Sequence, residues 1–365
     1  MGLVRLILAI SVLISHSAPF VKLKLVEGDV AVQIFYIISG FYMALILNEK
    51  YVGKNSYRLF LSNRFLRLYP IYWVVLCLTI LFTILCAMVF DGPTTLTFKV
   101  KYFNMMSIGT KIFQILANIF LFGQDIMMFL GMNTEKGTMF FTHNYAMTSP
   151  QFHNNLFLNH TWTLGIELMF YVLAPFIVRR SYKAILLMII VSLSIRAWIY
   201  FYLGWFYDPW TYRFFPAELS LFLMGTMSYK FYKLMQKNPF HNNVNKIITM
   251  LFFSLLCSYQ FIPYIFHAEV KKWLFYLLAC ISIPFVFQLT NKWKFDRSIG
   301  ELSYPIYIVH VLVIGSILPF INLFKWSNYT GEFAVSFSIL AAYILNKFIA
   351  DPIERKRQLI ANQLS

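Results

Sequence analysis

One pattern repeats from the first residues to about residue 350: apolar stretches about 18 to 22 residues long, each bounded by short polar or basic segments. Coiled as helices, such stretches match the hydrocarbon thickness of a bilayer. They predict about ten transmembrane helices, over 3–20, 30–48, 69–90, 162–179, 184–204, 214–233, 246–266, 272–290, 301–322 and 331–350. The expected fold class is all-α, a polytopic transmembrane helical bundle. Residues 91–161 are the one long connection, placed on the extracytoplasmic side. An apolar piece within 111–124 is short for a span and predicts an interfacial or re-entrant helix. No repeat or Gly/Ser linker divides the chain, so 1–350 reads as one membrane domain and 351–365 as a short charged tail.

Composition reinforces this picture. Of 365 residues, 59% are apolar, 19% aromatic and 13% charged, against roughly 25% charged in a soluble domain. The net charge of +16 does not point to nucleic acid, because the basic residues sit in short loops and form no basic, aromatic-interleaved module. The partner they imply is the lipid bilayer. Alternate loops collect most of them: Lys50, Lys54, Arg58, Arg64 and Arg67, then Arg179, Arg180 and Lys183, then Lys230 to Lys246, then Lys292 to Arg297, then Lys347 to Arg357. The opposite side is poorer, with Lys22 and Lys24 in its first loop. By the positive-inside bias both termini are cytoplasmic, and an extra span within 111–124 would break the alternation. The start resembles a signal peptide only in having one basic residue before an apolar run. No small-x-small cleavage site follows, and Leu6 stands where myristoylation needs Ser or Thr. Cys77, Cys86, Cys257 and Cys280 lie in apolar runs without CxxC spacing and read as small apolar side chains. No metal site is expected.

Ionisable residues inside spans are costly, so each is a functional candidate: Arg5, His16, Glu167, Arg196, Glu218 and His310. Arg5 lies near the cytoplasmic end of the first span, and His16 stands roughly 16 Å further along it. Glu167 enters from the other side to a similar depth. His310 reaches the midplane and Arg196 the outer half. A structural reading stands beside each: a lone histidine can simply bond between helices, and Glu167 can pair with Arg196 or Arg5. Arg64 and Arg67, one helical turn apart at the entry to the third span, suit phosphate oxygens or serve as inside-positive anchors. Ser39 and Gly40 offer space for a substrate or for a neighbouring helix.

Taken together these segments resemble the acyltransferase-3 family of integral membrane acyltransferases, which includes bacterial O-acetyltransferases of exported glycans. Arg5 and His16, ten residues between them, resemble its Arg/His signature. IFYIISGF (34–41) resembles its FFxxSGF segment, and RFLRLYPIY (64–72) its RxxR-x-YP entry. WTLGIELMFY (162–171), beginning at Trp162, is similar to WSLxxExxFY, and LSYPIYIVH (302–310) to SYxxYxxH. The motifs occur in the family's order. Gln33, Ala31 and Thr163 depart from it, where an acid, Gly and Ser are common.

The resemblance implies acetyl-CoA as acyl donor, a glycan or lipid-linked glycan acceptor reached on the far side of the membrane, and a bacterial inner-membrane location. His16 is then the general base and Glu167 its orienting or proton-moving partner. Arg64 and Arg67, with Ser39 and Gly40 further up, hold the donor. Arg5, Arg196 or backbone near Ser39 faces the developing oxyanion. His310 and Trp162 support the site, and the aromatics of 198–210 stack on sugar rings or form an interfacial belt. Two rival classes are a transporter or flippase, since intramembrane charges also mark transport paths, and a non-enzymatic partner in polysaccharide export.

Overall fold

In the computed structural model, which describes residues 1–355 apart from 22, 91 and 264–266, the apolar runs are helices. The α-helices are α1 (Gly2–His16), α2 (Gly28–Glu49), α3 (Ser56–Val89), α4 (Thr95–Met105), α5 (Ile108–Phe120), α6 (Trp162–Ile177), α7 (Tyr182–Ala197), α8 (Phe215–Lys237), α9 (Asn242–Ser258), α10 (Ala268–Thr290), α11 (Lys294–Leu323) and α12 (Thr330–Leu345). A single hairpin, β1 (Leu130–Met132) with β2 (Met139–Phe141), pairs Leu130 with Phe141 and Met132 with Met139. Of the earlier readings, Lys22, the end of the run 246–266 and the tail from Lys356 onward lie outside the described residues.

Eight helices among the described residues are long and apolar enough to cross a bilayer. Two of the expected ten differ. The first is α1, with 15 residues and a length of roughly 22 Å, because Pro19 disfavours α geometry at Ala18 and ends the run early. The second is α8, long enough at 23 residues but diluted by Glu218, Ser220, Thr226, Ser228 and three lysines. The third span starts earlier than its apolar run, since α3 takes in RFLRLYP and carries Pro70 in its interior.

The chain packs as two compact units: the first comprises Met1–Ile71, Tyr171–Ser192 and the chain from Glu218 onward, the second Tyr72–Phe170 and Leu193–Ala217. In the first, α1 packs against α11 and α2, and α12 against α11. Ala9, Leu13, Ile306, Ile314, Ala334 and Ala342 form their common core. Helix α1 begins on the carboxylate of Asp296, which accepts the Gly2 and Leu3 N–H groups at 2.8 and 2.9 Å. Two of the four N–H groups that a helix start leaves unpaired are thereby met, by a negative charge at the positive end of the dipole. Helices α2 and α8 meet backbone to backbone: a Cβ at Gly40 would collide with the Phe222 carbonyl, and one at Gly225 with that of Ile37. Small residues allow this approach where lipid gives no hydrophobic drive.

In the second unit the short apolar helix expected within 111–124 is α5, and its amphipathicity is reversed. Its buried face is polar, with Thr110 2%, Gln114 5% and Asn118 8% exposed, while Ile108 is 77% and Ile112 52% exposed. The inward side chains tie α5 to the chain before α6. The Gln114 amide donates to the Asn155 carbonyl at 3.1 Å and Asn118 Oδ1 accepts from Phe157 N–H at 3.0 Å. Trp73 Nε1 of α3 donates to the Ile119 carbonyl at 2.8 Å.

Candidate active site

The first unit brings His16 and His310 together. His16 is the last residue of α1, and His310 follows LSYPIYIV on α11; their ring centroids are 5.1 Å apart, tilted by 50°. Each ring is fixed by its own helix. His16 Nδ1 lies 2.9 Å from the Val12 carbonyl and His310 Nδ1 2.7 Å from the Tyr307 carbonyl. A carbonyl only accepts, so Nδ1 carries the proton in both rings. In the neutral imidazole of His16 this leaves Nε2 with the lone pair. His310 is fully buried while His16 is exposed, so of the two only His16 can meet a substrate directly. Ser11, Ser15 and Ser17 return their hydroxyls to backbone carbonyls of α1 and reinforce its last turns.

Toward the other end of α1, Arg5, Arg67 and Arg297 all lie within electrostatic reach of Tyr42 on α2. Arg67 and Arg297 are exposed and also act on Glu301. Arg64 is different: it is buried, 8% exposed, with its guanidinium 5.9 Å from the Phe60 ring centre and 6.0 Å from that of Tyr171. Residues three apart on a helix differ by only about 60° in direction, so both arginines of RFLR lie on one side of α3, where the Phe60 and Tyr171 rings cover Arg64 and leave Arg67 exposed. Ser39 is buried, and the space at Gly40 is taken by the backbone of α8. The smallness of Gly40 thus serves helix packing.

Glu218, read from the sequence as an ionisable residue inside a span, is fully buried. Its two carboxylate oxygens accept from Gln33 Nε2 at 3.3 and 3.0 Å, and Gln33 Oε1 accepts from the Tyr276 hydroxyl. The departure at Gln33 has a physical reason here. An acid beside Glu218 would bury two carboxylates together, whereas an amide donates to one. One turn earlier on α2, Asp29 pairs with Lys272 at 2.6 Å.

The second unit holds the remaining candidates. Trp162 begins α6 and Glu167, half-buried, follows one turn later. Arg196 donates to the Thr211 carbonyl at 2.5 Å and to that of Ala217 at 3.2 Å, tying the end of α7 to the start of α8. The face of Trp162 is covered by the Arg213 guanidinium, 4.1 Å from the ring centre. Arg213 in turn forks onto Asp208 at 2.5 and 2.8 Å.

Sequence reading did not single out Asp208, Arg213, Arg297 or Asp125, because each is one polar residue in a loop or helix end without periodicity. Asp125 is 3% exposed, and among the described residues its Oδ1 has no hydrogen-bond partner. A Cβ on Gly165 would come within 2.8 Å of that oxygen, so the glycine of WTLGIE makes room for it. Burial pushes the Asp125 carboxyl up to about 7, against hydrogen bonds from its own and the Ile126 N–H. In the same unit, burial lowers Lys99 to about 8 and His153 to about 4.

A raised carboxylate pKa means that between about 4 and about 7 the folded state holds a proton that the unfolded state has lost. Stability therefore falls as pH rises through that window and is level above it. Asp125→Asn, which cannot ionise, is expected to remove this component. Thermal unfolding at pH 5 and pH 8 should show the variant gaining on the wild type at the higher pH, and an unchanged difference would contradict the assignment.

Long apolar helices define the class: an integral membrane protein, polytopic and all-α. The chain belongs to the acyltransferase-3 family, whose acyltransferase domain model matches residues 1–346. It is thus a membrane acyltransferase. No curated protein sequence and no solved structure matches it.

Proposed function

We propose that the protein is an O-acetyltransferase that moves acetyl from cytoplasmic acetyl-CoA to a hydroxyl of a cell-surface or exported polysaccharide. The observation that carries this reading is the His16–His310 pair, in which Nδ1–H of His16 is committed to a carbonyl and Nε2 is left as base. A sugar hydroxyl is a weak nucleophile and needs its proton taken during attack. The hydroxyl oxygen bonds to the thioester carbonyl carbon, its proton passes to His16 Nε2, the C–S bond breaks, and the proton leaves on the CoA thiolate. Acetyl-CoA enters with its phosphates at Arg67 and Arg297, near Arg5, and its thioester reaches His16 along α1, roughly 16 Å away. The family's acidic residue Glu167 and the indole of Trp162 belong to the same reading through WTLGIE.

The test is transfer of labelled acetyl from acetyl-CoA to glycan by the purified protein. Proton NMR of the glycan should gain O-acetyl signals, and their absence with folded protein would defeat the proposal. Arg67→Gln and Arg297→Gln are each expected to raise the KM for acetyl-CoA on the order of tenfold, the scale of a hydrogen bond to a charged group, with kcat little changed. Unchanged KM in both would remove the phosphates from this end of α1.

A further inference from the structure

The second unit carries an aromatic platform that the acetyl-transfer chemistry above does not use. His143 follows the β1–β2 hairpin, and Trp205 and Tyr207 lie in the turn after α7. The His143 and Trp205 rings are parallel to within 10°, centroids 5.5 Å apart, although 62 residues of chain separate them. His143 Nδ1 is 2.6 Å from the Tyr207 hydroxyl. The buried Trp210 donates its indole N–H to the His143 carbonyl at 2.8 Å and packs on Trp205 with centroids 4.5 Å apart. The result is a stacked ring pair with the His143 imidazole exposed and a polar edge at Tyr207, fixed by long-range hydrogen bonds.

Beneath it, Tyr145, two residues after His143, donates to Asp208 at 2.5 Å, and Asp208, next to Tyr207, holds Arg213. Arg213 lies on the face of Trp162. One ion pair therefore sets the spacing between the platform and the first residue of α6. An interfacial belt needs only aromatic side chains at the right depth, which Trp198, Phe201 and Tyr202 supply, each more than half exposed. It does not need a parallel imidazole and indole locked to a tyrosine hydroxyl. A pyranose ring does fit that arrangement: its C–H face lies on an aromatic face, and its rim hydroxyls exchange hydrogen bonds with imidazole and phenol.

We propose that His143, Trp205 and Tyr207 form the subsite for a pyranose ring of the acceptor glycan, held in register with Trp162 by the Asp208–Arg213 pair. This rests on the acetyltransferase reading for its ligand, and the experiment separates the two. The probe is de-O-acetylated surface glycan from the producing cells, fragmented to oligosaccharides. Binding to the purified full-length protein is followed by tryptophan fluorescence, and acetyl transfer is measured on the same samples.

Wild type is expected to bind saturably. Trp205→Ala and His143→Ala should weaken binding and raise the acceptor KM by about tenfold, within the range of ring stacking on an aromatic side chain. The KM for acetyl-CoA and acceptor-independent acetyl-CoA hydrolysis should stay unchanged. Trp205→Phe should restore most of the affinity, and Trp198→Ala should change nothing. No saturable binding by wild type, binding by Trp205→Ala and His143→Ala within twofold of wild type, or an equal loss in Trp198→Ala would overturn the subsite. Saturable binding without acetyl transfer in wild type would sink the acetyltransferase reading and leave the subsite standing.

Discussion

His16→Ala is expected to lower kcat for acetyl transfer between about 10² and 10⁴-fold, the usual contribution of a positioned general base. The fold should survive the change. His16 is the last residue of α1 and exposed, alanine is the best helix former, and the bond lost at the Val12 carbonyl is an extra one from a side chain. Binding of acetyl-CoA should also survive, because Arg67 and Arg297 are untouched. The combination of low kcat, near-normal KM for acetyl-CoA and an unchanged melting temperature is what a base predicts and a structural histidine does not. His310→Ala is the contrast. It empties a fully buried position, and large-to-small changes there cost about 2–5 kcal/mol, so stability and activity should fall together. Transfer by His16→Ala within tenfold of wild type would remove the imidazole from the chemistry.

Gly225→Val should be the most damaging substitution for folding. Helices α2 and α8 touch through a reciprocal pair, Gly40 on the Phe222 carbonyl and Gly225 on that of Ile37. A flexible side chain could rotate away, but each obstacle is backbone inside a helix and cannot yield without moving the whole element. Overpacking typically costs about 1–3 kcal/mol, and a rigid obstacle places this one at or above the upper end. The same contact orders the buried Glu218–Gln33–Tyr276 chain, whose three members sit on α8, α2 and α10. Separating the helices leaves a carboxylate without its donor, which adds to the loss. Thermal unfolding in detergent should show a midpoint lower by several degrees, on the scale of about 2–4 °C per kcal/mol. Gly109→Ala on α5, where a Cβ meets nothing within 4 Å, is the control and should be neutral. A Gly225→Val protein that melts with the wild type would show that the two helices do not approach this closely.

The spans were legible because lipid forces one answer on the backbone. A long apolar run must satisfy its own hydrogen bonds, so it is a helix. What the sequence could not place was what covers each helix face. Arg64 and Arg67 look like a pair in RFLR, yet the Phe60 and Tyr171 rings cover the first and leave the second exposed. Gly40 reads equally as room for a substrate or for a neighbouring helix, and the α8 backbone fills it. His16 and His310 are each visible as intramembrane histidines, but their meeting depends on α1 packing against α11, a contact between residues 294 positions apart. The least legible part was 91–161. Its order comes from single polar residues, such as Gln114 and Asn118, whose partners Asn155 and Phe157 lie far along the chain.

The inverted α5 has a practical consequence for anyone wishing to handle the second unit by itself. Cut free, it would carry a greasy strip of Ile108, Ile112, Ile115, Leu116, Ile119 and Phe120 into water and clump. Exchanging those six for Glu, Lys and Gln while leaving Thr110, Gln114 and Asn118 alone keeps the inward hydrogen bonds and repaints one outer strip, whereas the 72–89 part of α3, with Leu81, Leu85 and Met88 exposed, still needs detergent.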